Sequence, residues 1–125
     1  MAAVLDWELC TLGDPLADLG LLLVYWGEPG DRFQVNPDAA TCEPGFASRT
    51  RLLEHYAAVT GRDVTDIGFY VALGYWKLAC ILQGVLVRFR AGAMGDGSAS
   101  GTLADGPVVD LARAGLLALD GRFGG

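Results

Sequence analysis

The chain has little of what ordinary active sites are built from. Histidine occurs once, at His55, and cysteine three times, at Cys10, Cys42 and Cys80, with no C-x-x-C pair among 125 residues. An odd set of widely spaced cysteines suggests neither a zinc site nor a disulfide framework, and it suits a reducing, cytoplasmic compartment. With one histidine and no G-x-S-x-G, a Ser-His-Asp triad has no support, and His55 reads as a surface or helix-packing residue. Lys and Arg number nine against fifteen Asp and Glu, for a net charge of -6, and no basic run occurs. Nucleic acid and anionic membrane surfaces, which reward phosphate neutralisation, are therefore not expected partners. The glycines of Gly95 to Gly101 miss the G-x-G-x-x-G spacing, follow a helix rather than a strand, and have no Walker lysine after them. They read as part of a linker.

What the chain does have is apolar residues, 52% of the total against 19% charged. That is ample for one domain with a modest core. Either part of this apolar surface is buried against something outside the chain, or the chain is a well-packed helical bundle. The apolar run from Gly68 to Phe89 is long enough to raise a membrane span. Lys77 near its middle costs roughly 2.5–3.5 kcal/mol on insertion scales, so a buried core helix is the preferred reading and no membrane is expected. No secretory signal is visible after Met1.

Periodicity predicts four helices. The first has Asp14 as N-cap and Pro15 at N1, carries Leu16, Leu19, Leu22, Leu23 and Trp26 at helical spacing, and stops at Gly27 and Pro29. A long proline-rich loop, 28–45, follows, of the kind that is often functional or mobile. A second helix is expected over 46–60, with Leu52, Leu53, Tyr56 and Ala57 inward and Gly61 as its stop. The third, 65–90, is apolar nearly all round, as for a central helix wrapped by others. The apolar residues that nearly encircle it are Tyr70, Val71, Leu73, Trp76, Leu78, Ile81, Leu82, Val85, Leu86 and Phe89. After a Gly/Ser linker at 91–103, the fourth begins near Gly106-Pro107. It carries Val108, Leu111, Ala112, Leu116 and Leu119 at helical spacing and stops at Gly121. No internal repeat is apparent.

The N-terminal stretch AAVLDWELCTLGDPLADLGLLLVYW is different in kind. Ala2–Leu5 reads as a short strand, and Asp6 opens an acidic turn before the first helix. A lone strand needs a partner for its backbone groups, which predicts either pairing with another chain or a sequence that begins partway through a domain. Asp6, Asp14 and Asp18 all gather around this strand-to-helix transition. Asp6, in a turn after a buried strand, is suited to hold Mg²⁺, which takes one or two carboxylates from protein. Asp14 is accounted for as a helix cap, and Asp18 gains from the helix dipole. Asp18 nevertheless sits between Leu16, Leu19 and Leu22, where a carboxylate would want donors.

The ordered set V-L-D-W-E, L-G-D-P and A-D-L strongly resembles the C-terminal lobe of aminoglycoside-phosphotransferase-like (choline-kinase-like) small-molecule kinases. The acyl-CoA-dehydrogenase-associated branch is the most similar. The resemblance continues through EHYAAVTGRDVTD and FYVALGYWKLACILQGVLVRF, so it covers most of the chain. It implies a mainly α fold: the helical C-terminal subdomain of a protein-kinase-like fold, with one short N-terminal β-strand. Residues 1–13 would form the strand and metal-binding turn, and 14–121 the helical part of one domain. Asp6 would match the metal-binding aspartate that holds Mg²⁺ against the ATP phosphates. Asp18 would brace the catalytic loop's backbone, Asp14 and Pro15 would start the helix beneath it, and Trp7 stands where protein kinases carry Phe.

The family's H-G-D-x-x-x-x-N loop belongs before Asp6, and its nucleotide lobe before that. The 125 residues contain neither, so the expectation is a truncated piece of a phosphotransferase with no catalytic residue of its own. Mg²⁺ and ATP would serve the intact enzyme and bind this chain weakly or not at all. The small-molecule substrate pocket would be built from the 28–45 loop and the later helices. The alternative is a non-catalytic helical binding or assembly module that keeps the kinase-like framework. It would dimerise through apolar helix faces or through the 2–5 strand.

Overall fold

The computed structural model describes residues 3, 12–36, 38–92 and 106–122. Within them lie four α-helices and one short 3-10 turn at Ala40–Cys42: α1 (Pro15–Tyr25), α2 (Arg49–Thr60), α3 (Ile67–Arg90) and α4 (Gly106–Leu119). The fold is mainly helical, and no strand occurs among the described residues. The strand read at 2–5 falls outside them except for Ala3, which belongs to no regular element.

The helix ends follow local chemistry. Asp14 is extended at the head of α1 and its side chain accepts a 2.9 Å hydrogen bond from the Leu16 N–H, with Pro15 entering the first turn directly. This satisfies one of the orphan donors at a helix start. Ser48 does the same for α2 through the Arg51 N–H. The α2 start is therefore Arg49, three residues later than the sequence reading, because Ser48 is the first residue able to cap. Gly61 ends α2 at φ 68°, a left-handed conformation that suits glycine.

α3 is the axis of the molecule, flanked by α1 and α4. The core is Leu19, Leu23 and Val24 of α1, Ile67, Val71, Ala72 and Tyr75 of α3, and Ala114 and Ala118 of α4. Leu52, Leu53 and Tyr56 of α2 pack partly buried against this cluster. Both helix contacts are close because glycine lies in them. A Cβ at Gly20 would stand 2.5 Å from the Tyr70 carbonyl carbon, and one at Gly68 would stand 2.6 Å from the Ala118 carbonyl oxygen.

This closeness explains one departure from the sequence reading, and the flanking of α3 by α1 and α4 among the described residues leaves room for a second. α4 packs through the small residues Ala114, Gly115 and Ala118, while Leu116 and Leu119 point outward. α3 is not wrapped on all sides as expected: Leu73, Trp76 and Ile81 are exposed, and so is Leu22 on α1. Among the described residues, α3 is the one helix long and apolar enough to cross a membrane, with 28% of its most apolar window buried.

Candidate functional site

Two places carry chemistry. The first is the head of α1. Asp14 is held there from two sides, by the Leu16 N–H and by the Tyr70 hydroxyl of α3, which donates to Oδ2 at 2.6 Å. The Tyr70 bond, then the Leu16 bond, lower the Asp14 pKa below its ordinary 3.8. The same bond to Asp14, helped by burial, raises that of Tyr70 above 10.0. Each shift reports the same preference for carboxylate facing neutral phenol. Asp18 lies in the first turn of α1, exposed, on a stripe with Leu22 and Tyr25. It stands on the exposed side of α1, opposite the buried Leu19, Gly20, Leu23 and Val24.

Asp6 lies outside the described residues. Among those described, no three His, Cys, Asp or Glu side chains converge to hold a metal. Asp14 already accepts two hydrogen bonds and Asp18 stands apart, so these residues by themselves do not make a magnesium site.

The second place is a cleft of about 500 Å³ between the loop after α1 and the outer flank of α3 and α4. Phe33 and Val35 form one wall, Leu78, Leu82 and Val85 the floor, and Leu111 the far side, with Arg32, Gln34 and Asp110 supplying polar groups. The Arg32 guanidinium sits 5.5 Å from the centre of the Phe33 ring. An apolar cleft of this size with a few polar groups is the usual form of a small-molecule site.

The cleft's loop wall is fixed by a buried ion cluster. Arg49, at the first position of α2, is 4% exposed. Its Nε donates to the Leu23 carbonyl at 3.1 Å, Nη1 to Glu28 at 3.1 Å and to Asp31 at 2.9 Å, and Nη2 to Asp31. Glu28 also accepts from the Arg49 backbone N–H, the Glu28 N–H donates to Asp31, and Gln34 donates to the Glu28 carbonyl. Burial pulls the Arg49 pKa down, but the bonds and charges of Asp31 and Glu28 outweigh it and the net shift is upward. Burial also raises the Tyr75 hydroxyl, with Arg49 opposing and Asp31 assisting. The loop ends are tied as well. Trp26 Nε1 donates to the Ala47 carbonyl at 2.9 Å, and its ring meets Phe46 edge-on at 6.1 Å.

The sequence reading did not find this cluster. One signal was available. Arg49 opens a helix whose first turn holds no acidic residue, and a cation there opposes the helix dipole unless carboxylates compensate it. His55, by contrast, is exposed on α2.

Comparison with known proteins covers the head of α1 and the loop wall of the cleft alike. Residues 1–55 match the profile of the phosphotransferase enzyme family. The human protein named acyl-CoA dehydrogenase family member 11 is 35% identical over 92 residues, 72% of this chain and 12% of its own length. Its rat counterpart is 35% identical over 117 residues, 91% of this chain and 15% of its own length. Mouse acyl-CoA dehydrogenase family member 10 is 33% identical over 93 residues, 72% of this chain and 9% of its own length. The chain thus spans a small fraction of the curated relatives it matches. No solved structure matches it significantly. The likeness of this chain to the phosphotransferase enzyme family thus rests on residues 1–55, which contain Asp6, Asp14 and Asp18.

Proposed function

We propose that the chain is the C-terminal part of an ATP-dependent small-molecule phosphotransferase. The observation that carries this reading is the family match over 1–55, the stretch that holds the D-W-E, G-D-P and A-D-L set. In the intact, cytoplasmic enzyme the oxygen of a substrate hydroxyl bonds to the γ-phosphorus of ATP. The bond from that phosphorus to the bridging oxygen breaks, and ADP leaves. The hydroxyl proton goes to a base outside these 125 residues. Asp6 is the magnesium ligand in this account, and the metal supplies charge neutralisation at the phosphates. Asp14 and Asp18 support the site, the one by fixing the head of α1, the other by holding the catalytic loop's backbone.

The acceptor sits in the cleft beside α3. Its apolar floor and its few polar groups support a small molecule with an apolar body, and the Arg49 cluster keeps the 32–35 wall in place. On its own the chain transfers no phosphate.

The test is to express these residues within a frame that includes the catalytic loop and nucleotide lobe. ATP consumption is then followed against a panel of hydroxyl- and amine-bearing small molecules. Turnover that depends on one class of hydroxyl acceptor is the expected result; no acceptor-dependent ATP consumption would refute the reading. The exposed apolar face of α3 favours a second role, in assembly.

A further inference from the structure

The outward face of α3 carries a regular seam. Phe69, Leu73, Trp76, Cys80, Gln83 and Val87 follow one another at intervals of four, three, four, three and four residues. That is the a/d alternation of a coiled coil, and it keeps one line of side chains on one side of a helix. All but half-buried Gln83 are exposed, Phe69 at 57% and Trp76 at 63%. The seam lies away from Val71, Ala72, Tyr75 and Ala79, which face the core. It also lies on a different face from Leu78, Leu82 and Val85, which floor the cleft. α3 has 24 residues, so the seam runs along a helix of roughly 36 Å. An apolar line of that length is more than scattered surface hydrophobicity.

We propose that this seam is a self-association surface, on which α3 of a second copy packs antiparallel. The pattern is self-complementary about a point between Trp76 and Cys80. In that register Phe69 meets the partner's Val87, Leu73 meets the partner's Gln83, and Trp76 meets the partner's Cys80. Asp66 at the head of the seam faces the partner's Arg90 at its foot. The ends carry opposite charge: Asp63 and Asp66 precede α3, and Arg88 and Arg90 lie in its last turn. A parallel pair would stack these like charges on one another; the antiparallel pair sets opposite charges side by side and aligns the helix dipoles antiparallel. Such an interface is isologous, and it closes at two copies. The cleft stays open on each protomer. Exposed Lys77 beside the middle of the seam suits a water-rimmed protein interface rather than lipid.

The inference rests on α3 alone and does not require the phosphotransferase reading, so the two fail separately. The 125-residue chain is to be examined by sedimentation equilibrium and by light scattering after size exclusion, without detergent, at micromolar concentration. The expected mass is twice 13.2 kDa. Trp76→Glu is expected to return the mass to that of one chain while helical circular dichroism is unchanged, because Trp76 touches little of its own core. Adding Cys80→Lys to Trp76→Glu should restore the dimer, since each Glu then faces a partner Lys only in the antiparallel register. A wild-type monomer throughout the concentration range would overturn the proposal, as would a requirement for detergent. A dimer unmoved by Trp76→Glu, or one not recovered in the double variant, would overturn it equally.

Discussion

The Tyr70 hydroxyl donates a 2.6 Å hydrogen bond to Asp14 across 56 positions of sequence. The bond joins the cap of α1 to the face of α3, beside the point where Gly20 lets the two helices touch. A helix cap, which is a local device, is thereby made to report the tertiary contact that positions the head of α1.

Tyr70→Phe should lower the thermal midpoint by a few degrees near neutral pH and leave the helical content intact. Asp14 has a folded pKa below 3.8, so its contribution is present above that value and is lost as pH falls through the lowered pKa. Tyr70 has a folded pKa above 10.0, so its contribution is present below that value and is lost as pH rises through the raised pKa. The gap between wild type and variant should therefore be widest between these limits and close at both ends. Thermal melts across pH check this; a gap independent of pH would contradict it.

Arg49→Ala removes the cation from a site where the Asp31 side chain is 1% exposed. Leaving a buried carboxylate uncompensated costs about 3–5 kcal/mol, which urea unfolding would register. Arg49→Lys should recover only part of this, because one ammonium cannot reach Leu23, Glu28 and Asp31 with the fork that guanidinium provides.

Gly20→Ala should destabilise the chain by about 1–3 kcal/mol, since the added carbon meets backbone atoms of Tyr70 that cannot rotate away. Gly84→Ala is the control. Its nearest neighbour would be the flexible Arg88 guanidinium at 3.6 Å, so helix propensity should dominate and stabilise by up to about 1 kcal/mol. Equal effects of the two substitutions would remove the close-packing account of the α1–α3 contact.

Val85→Trp fills the floor of the cleft. In the intact enzyme it should raise the KM for the acceptor about 10- to 200-fold and leave the KM for ATP unchanged. A change in both, or in neither, would move the acceptor site elsewhere.

Much of the helical framework was legible in the sequence because its determinants are local. Asp14-Pro15 starts α1, Gly61 stops α2, and the apolar spacing marks α3 and α4. The faces were harder to read. Leu116 and Leu119 look like core on a helical wheel, yet α4 buries Ala114, Gly115 and Ala118, since small residues allow the nearer approach. Trp76 looks like core for the same reason and lies outside. The Arg49 cluster joins positions 18 and 21 residues apart through a loop without periodicity, so no pattern announces it. Of the three carboxylates singled out, the structure describes Asp14 as a cap and Asp18 as an exposed first-turn residue, and Asp6 falls outside the described residues.

The central claim concerns Asp6, and the direct measurement is acceptor-dependent ATP turnover by the intact enzyme bearing Asp6→Asn, compared with Asp14→Asn. Asp6→Asn should lower kcat by on the order of a hundredfold or more while the protein remains folded. Asp14→Asn should chiefly lower the thermal midpoint and leave most of the turnover. Turnover that survives Asp6→Asn at near wild-type rate would contradict the account.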